Sequence, residues 1–180
     1  EADFTQPPPL IAARVNEIIS AHGDGFEPFK REKELSTKYA RELLENKAKL
    51  KQFKETIEEF GMPISALGCH GNMVNPDKEA AARYQADFDD ALLLAEELGI
   101  NKVITFSGCP GDCEESKYPN WVTCPWPEDF LAILDWQWNQ KLIPYWKEAG
   151  AFALAHHVPH IAFEMHPGFC VYNPETLLKL

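Results

Sequence analysis

Residues 98–112 have the sequence LGINKVITFSGCPGD, and this stretch decides the fold class. Gly99 ends a helical pattern, and KVITF at 102–106 is typical of a short buried strand. The run of small and turn-forming residues after it predicts a loop. A helix, a short apolar strand and a polar loop in this order indicate an α/β protein with a parallel sheet.

The same order recurs on both sides of this stretch. PISAL at 63–67 predicts an earlier strand, and HIAFEM at 160–165 predicts a later one. Helical patterns lie between and around the strands, and Pro144 should break or kink the third of them because it has no N–H to donate. The predicted helices cover residues 36–60, capped by Ser36 and ended by Gly61, about 75–98, about 128–157 and 173 onward, with a further one at about 10–21.

Composition limits the function classes. Seventeen basic and 28 acidic side chains give a net charge of −11, which disfavours a nucleic-acid partner. No stretch approaches the roughly 20 apolar residues of a membrane helix, and the first residues do not resemble a signal peptide. We therefore expect a soluble, cytoplasmic protein with one domain over residues 1–180.

The five cysteines favour reduced thiols over a disulfide framework, because their number is odd and the chain is long enough to fold without staples. Cys109, Cys113 and Cys124 invite a zinc interpretation. Their spacing lacks the paired C-x2-C knuckles of structural zinc sites, so ordinary thiols are favoured.

Polar side chains follow each predicted strand. His70 and Asn72 follow the first strand, Ser107 follows the second, and Glu164 with His166 ends the third. In parallel α/β folds the loops at the carboxyl ends of the strands face one crevice. We therefore expect these side chains to share one mouth.

Glu164 is the sharpest of these signals because it lies between Phe163 and Met165 in an apolar strand. Burying a carboxylate requires compensation, either by a divalent cation or by a Lys or Arg partner. Spacing alone leaves both interpretations open. His166 is two residues further along, so it should point to the same face as Glu164.

Other candidates are less specific. His70, between two glycines, could donate to a substrate oxygen or make an ordinary loop hydrogen bond. His156, His157 and His160 are assigned to a helix end and not to catalysis. Most of the tryptophans are expected to be core residues, but Trp121 and Trp126 lie in the long loop at the expected mouth, where indole faces could stack on a sugar.

Five segments together resemble sugar phosphate isomerase/epimerases of the xylose-isomerase-like TIM-barrel superfamily. They are PISALGCHGNMVNPD (63–77), LGINKVITFSGCPGD (98–112), NWVTCPWP (120–127), DWQWNQKLIPYW (135–146) and IAFEMHPGFCVYNP (161–174). The resemblance implies a parallel (β/α) TIM-barrel fold. At 180 residues the barrel would be incomplete, with its C-terminal strands absent, since about 250 residues are typical.

The resemblance also implies a chemistry. Glu164 would be one ligand of a divalent Mn, Mg, Co or Zn ion and an acid/base that moves a proton next to a carbonyl through an enediolate. His166 would orient the substrate or assist the metal, and His70 and Asn72 would contact a sugar or sugar phosphate. Ser107 is a further candidate for binding the substrate. The other ligands fall outside this sequence, so the chain alone should be inactive, and its unpaired strand edges should favour self-association.

Three other functions are weighed. A dehydratase acting on an inositol-derived ketone would use the same residues. A barrel fragment could bind sugar without catalysis. An abasic-site endonuclease is disfavoured by the acidic charge.

Overall fold

The computed structural model describes residues 30–180, and side chains from residue 35 onward. The helix predicted at about 10–21 lies outside the described residues. The chain divides into two units between Tyr39 and Ala40, and the following account concerns the second unit, Ala40–Leu180. That residues 1–180 form a single domain stays a prediction.

Helices alternate with short strands, which confirms the predicted α/β class. In the described part of the chain the elements are α1 Lys30–Glu45, α2 Lys47–Glu59, β1 Leu67–Gly68, α3 Lys78–Leu98, β2 Lys102–Thr105, α4 Glu128–Trp136, a π-helical segment Gln137–Leu142, α5 Ile143–Ala155, β3 His160–Phe163 and α6 Pro174–Lys179. The strands form one parallel, open sheet in the order β1-β2-β3.

The register of the sheet aligns equivalent positions of the three strands. Gly68 pairs with Ile104, which pairs on its other side with Ala162. On β2, Val103 and Thr105 are fully buried, whereas Ile104 is only partly buried. The face that carries Val103 packs into the main core with residues of α3, α5 and the π-helical segment, including Phe88, Leu92, Leu142 and Ala153. The opposite face carries the even-numbered positions.

The first predicted helix is two helices. The structure interrupts it at Asn46, whose side-chain oxygen accepts hydrogen bonds from the backbone N–H groups of Ala48 and Lys49, both at 3.1 Å. Asparagine is a favoured N-cap because its side chain satisfies free N–H groups of the first turn. Ser36 lies inside α1, so its prediction as a cap was wrong, whereas Gly61 has the expected positive φ of 60°.

The bounds predicted for the helix at about 75–98 and for the start of the last helix at 173 agree with the structure to within three residues. Asp77 caps α3 through hydrogen bonds from the N–H groups of Glu79 and Ala80, and Gly99 ends this helix with φ 70°. Asn173 caps α6 by accepting a 2.8 Å hydrogen bond from the N–H of Thr176. These ends are decided locally, because the capping group lies within three residues of the N–H groups that it satisfies.

The break expected at Pro144 takes the form of a π-helical segment. The N–H of Ile143 bonds to the carbonyl of Trp138, five residues earlier, and Pro144 lies in the first turn of α5. A wider π turn suits this position because proline cannot donate to the carbonyl four residues before it.

All three strands are shorter than predicted, and β2 ends at Thr105 instead of residue 106. β1 consists of Leu67 and Gly68 instead of residues 63–67, and β3 ends at Phe163 instead of residue 165. Pairing with β2 sets these limits. One further ladder bond, from the N–H of Glu164 to the carbonyl of Thr105 at 2.9 Å, holds the residue after β3 beside the sheet.

The chain turns sharply after β2 at Gly108, which has a φ of 84°. A Cβ atom at this position would lie 2.6 Å from Cγ2 of Val74 and 2.9 Å from Oδ1 of Asn72. The carbonyl of Gly108 also accepts a 3.0 Å hydrogen bond from the N–H of Cys170. Glycine is required here both for the left-handed backbone and for the close approach of the loop after β1.

A carboxylate on α3 is bound by two imidazoles at the end of α5. Nδ1 of His156 lies 2.7 Å from Oε2 of Glu96, and Nδ1 of His157 lies 2.8 Å from Oε1. Both hydrogen bonds lower the pKa of Glu96, and the bond with His156 has the larger effect. The contact therefore ties α3 to α5 as long as the carboxylate is ionised.

No described helix is long and apolar enough to span a membrane.

Gly108→Ala should lower the free energy of unfolding by about 1–3 kcal/mol, because alanine at a left-handed position is strained and its Cβ meets two side chains. Urea denaturation would measure the change. Gly150→Ala in α5 is the matched control, since no atom lies within 4 Å of the added Cβ. Equal stability of the two variants would contradict the account of Gly108.

The Glu96 contact should make stability fall in acid. Because folding lowers the pKa of Glu96, the contribution of the contact to stability is complete above the pKa of glutamate in the unfolded chain, about 4.3. It is lost as the pH falls through the folded-state pKa. Chemical denaturation between about pH 6 and pH 3 should show a shallower loss for Glu96→Gln than for wild type. The control is Glu97→Gln, at the next position, which is exposed; its stability should depend on pH as that of wild type does. If the stability of Glu96→Gln depends on pH in the same way as wild type, the role of the contact is refuted.

Candidate functional site

Three strand ends bring one row of side chains together. Two residues beyond the paired Gly68, Ile104 and Ala162 come His70, Phe106 and Glu164, on the same face of the sheet. Adjacent strands lie about 4.8 Å apart, so His70 and Glu164 start from opposite sides of the central Phe106. The structure therefore places two predicted site residues in one row, as the parallel-sheet argument expected.

His70 and Glu164 are in direct contact. Nε2 of His70 lies 2.9 Å from Oε2 of Glu164, and their side chains are 39% and 49% exposed. At such exposure an ion pair contributes at most about 1 kcal/mol to stability. The contact is therefore better explained as one that orients the two groups than as one that holds the fold together.

The burial expected for Glu164 was wrong. β3 ends at Phe163, the residue before Glu164, so the carboxylate leaves the apolar strand and reaches solvent. Its partner is an imidazole, not the Lys or Arg considered from the sequence. An accessible carboxylate with an imidazole donor can accept a proton or bind a cation.

Phe106 is the centre of an aromatic cluster beside this pair. Its ring centroid lies 4.5 Å from that of His70, 5.2 Å from that of His166 and 4.3 Å from that of Phe169. The two phenylalanine rings are stacked at 20°. The predicted site residues His70 and His166 thus contact the same ring.

His166 makes a short local hydrogen bond. Its Nδ1 lies 2.6 Å from the carbonyl oxygen of Pro167, and a carbonyl can only accept, so Nδ1 carries the hydrogen. In the described part of the chain, Nε2 has no hydrogen-bond partner. The neutral imidazole therefore presents a lone pair at Nε2.

Asn72 and Ser107, which were predicted to bind substrate, are buried in the loops. The Asn72 amide donates to the carbonyl of Cys109 at 2.8 Å and accepts from its N–H at 3.0 Å. Oγ of Ser107 accepts a 2.9 Å hydrogen bond from the N–H of Val171. These contacts join the loops after the three strands, and a role in substrate binding stays a prediction for both residues.

The long loop after β2 carries the two predicted sugar-stacking tryptophans. Trp121 packs edge-on against Tyr172 at 5.4 Å, whereas Trp126 is 72% exposed. The base of the loop is held by Gln137, whose amide donates to the carbonyls of Gly111 at 2.8 Å and Asn120 at 2.7 Å. Trp121 is thereby kept against the loop after β3, and stacking on a sugar stays a prediction for both tryptophans.

A metal site is not complete within the described residues. No three His, Cys, Asp or Glu side chains there are grouped so that they could hold an ion. Glu164 and His70 have the right chemistry for a divalent ion, but a catalytic site needs about three protein ligands. The pair therefore fits part of a metal site.

The cysteines of the described residues do not group with Glu164 and His70 as further metal ligands. All five are free thiols, as predicted. Burial raises the pKa of Cys69, the residue next to His70, to about 12. Cys109 and Cys170 are buried together in the core, and contact with Cys109 raises the pKa of Cys170 above its ordinary range.

Sequence reasoning missed Phe106, Phe169 and Gln137. Phe106 was treated as the last residue of a strand, and the even-numbered register that puts it between His70 and Glu164 could have identified it. Phe169 occurs in the segment HPGF, which was recognised but given no role. Gln137 gave no signal, because it contacts a loop that lies 17 or more residues away in sequence.

Comparison with known proteins supports the fold that the sequence resemblance implied. The chain is 40% identical over 141 residues to the uncharacterized protein YfiH of Bacillus subtilis (strain 168). The match covers 77% of this chain and 45% of that relative, so the chain spans less than half the length of the relative. The open sheet of three parallel strands is consistent with part of a TIM barrel.

A family model described as xylose isomerase-like TIM barrel matches residues 17–180. The matched region includes every described element and every residue of the row at the strand ends. The chain therefore belongs to the xylose isomerase-like TIM-barrel family.

Proposed function

We propose that the full-length protein is a metal-dependent isomerase or epimerase of a sugar or sugar phosphate. It moves a proton next to a carbonyl through an enediolate. The observation that carries the proposal is the accessible Glu164 carboxylate with His70 at 2.9 Å, at the carboxyl ends of parallel strands. Members of this superfamily are mostly enzymes and are often metal-dependent, which supports the proposal.

Glu164 is proposed both as a metal ligand and as the acid/base. Its two carboxylate oxygens are not equivalent, because Oε2 accepts the hydrogen of His70 whereas Oε1 has no hydrogen-bond partner in the described part of the chain. One oxygen can therefore stay oriented by the imidazole while the other remains available. A side chain that is 49% exposed can be reached by a small substrate.

A divalent Mn, Mg, Co or Zn ion would supply Lewis-acid polarisation of the sugar oxygens when bound. Glu164 is the ligand that this chain offers, and we propose that the remaining ligands lie outside the described residues. His70 would then act behind Glu164, since its N–H fixes the orientation of the carboxylate. Such supporting hydrogen bonds tune both the affinity and the geometry of metal sites.

The proton transfer divides among three groups. Glu164 accepts the proton from the carbon next to the carbonyl, and its return to the neighbouring carbon of the enediolate completes an isomerisation. An epimerisation needs a second acid on the opposite face of the enediolate, which we propose lies outside the described residues. His70 keeps the carboxylate oriented during both steps. His166 faces the substrate with the lone pair of Nε2 and accepts a hydrogen bond from a sugar hydroxyl.

The test is metal binding and activity of the full-length protein with Glu164→Gln. Because supporting hydrogen bonds alone are worth about 10–100-fold in metal affinity, loss of a direct ligand should weaken manganese binding by at least about 100-fold. Isothermal titration calorimetry would measure it. Epimerisation of a panel of ketoses and ketose phosphates should be lost, and His70→Gln should weaken manganese binding by about 10–100-fold.

Glu148→Gln is the matched control, since Glu148 is an exposed glutamate on α5. It should bind manganese and turn over sugars like wild type. Unchanged binding and turnover in Glu164→Gln would refute the proposal. Loss of water from a cyclic polyol ketone, without epimerisation, would replace the isomerase by the dehydratase that uses the same residues.

A further inference from the structure

We propose that Phe106 is a positioning residue that fixes His70 and His166 in opposite tautomers. In this arrangement the Nε2–H of His70 is committed to Glu164, and Nε2 of His166 is kept as a free acceptor for the substrate. The proposal rests on the proposed function and adds to it a division of labour between the two imidazoles. Its basis is the register of the sheet and the contacts of one aromatic ring.

The register sets the place of Phe106. β2 is the central strand, so the residue that continues its even-numbered face lies between those that continue β1 and β3. His70 and Glu164 start on the flanking strands and still meet at 2.9 Å. A flat side chain at position 106 lets the two approach each other beside it, while its ring limits where the His70 imidazole can lie.

The ring contacts support this role. Phe106 touches both imidazoles, His70 at 4.5 Å with an interplanar angle of 55° and His166 at 5.2 Å with an angle of 51°. Tilted contacts of this kind suit aromatic rings electrostatically. Each contact favours one orientation of its imidazole relative to the Phe106 ring.

Phe106 is itself held from one side. The ring of Phe169 stacks on it at 4.3 Å, and Phe169 packs against the main core. Phe106 is partly buried and does not belong to the side chains that pack against that core. Its ring contacts Phe169 and the two imidazoles, whereas Phe88 is a fully buried residue of the core.

The hydrogen bonds define the two tautomers. The Glu164 carboxylate accepts, so the neutral His70 carries its hydrogen on Nε2. The Pro167 carbonyl also accepts, so the neutral His166 carries its hydrogen on Nδ1. With its hydrogen on Nδ1, His166 has a lone pair on Nε2. Rotation of this ring away from Phe106 would remove the hydrogen bond to Pro167 that favours this tautomer.

The test uses the full-length protein with 15N-labelled histidine at alkaline pH, where imidazoles are neutral. Two-bond and three-bond 1H–15N correlation spectra identify which ring nitrogen carries the hydrogen, and His70→Gln and His166→Gln assign the signals. Wild type should show His70 with hydrogen on Nε2 and His166 with hydrogen on Nδ1. Phe106→Leu, which keeps an apolar side chain without a ring, should give a mixed tautomer signal for at least His166.

Phe152→Leu is the matched control. Phe152 lies 4.4 Å from the ring of His156 on α5, so the same substitution removes a comparable aromatic–imidazole contact. Its spectrum should change at His156 and stay unchanged at His70 and His166. Phe106→Tyr, which restores a ring, should return the wild-type tautomers.

Activity supplies the second readout. A small displacement of a reacting group can cost about 100-fold in rate, so kcat of Phe106→Leu should fall by about 10–100-fold with a smaller change in KM. Wild-type tautomers in Phe106→Leu, or unchanged kcat, would overturn the role of Phe106. Failure of the isomerase proposal would appear separately, as unchanged manganese binding and turnover in Glu164→Gln, and would leave the tautomer measurement intact.

Discussion

The parallel, in-register pairing of three short strands is the constraint on which the rest of the structure depends. Leu67 pairs with Val103 and Val103 with Ile161, so residues at equal distances beyond these positions lie side by side. Because side chains alternate along a strand, one face enters the core with Val103 while the other carries His70, Phe106 and Glu164 to one edge. A shift by one residue would exchange the two faces.

Side chains fasten the loops that surround this edge. Asn72 uses its amide on the backbone of Cys109, and Ser107 accepts the N–H of Val171. Gln137 binds carbonyls of the loop that follows β2. Burying a backbone N–H or C=O without a partner is costly, and these polar side chains provide hydrogen-bond partners for the loops, as strand pairing provides them for the sheet. The absence of a Cβ at Gly108 lets the loops after β1 and β2 approach each other.

The site combines a polar upper layer with an aromatic support. Glu164, His70 and His166 are exposed, whereas Phe106, which contacts both imidazoles, and Phe169, which stacks on Phe106, are partly buried. An exposed ion pair adds little stability, so the orientation of His70 and Glu164 must be set by neighbouring side chains that cannot move freely. Phe169 connects these neighbours to the core, which allows flexible polar groups to keep defined orientations.

The sequence by itself determined the α/β class, the starts of α3 and α6, the break before Pro144 and the strand-then-loop order that puts His70, Glu164 and His166 near the strand ends, because these signals are local or periodic. Tertiary structure alone decided the length of β1 and β3, the exposure of Glu164, its pairing with His70 and the use of Asn72 and Gln137 as loop fasteners. Each of these depends on a partner that is distant in sequence, such as Phe106 for His70. Local patterns specify which face a residue takes, but only strand pairing specifies which residue it meets.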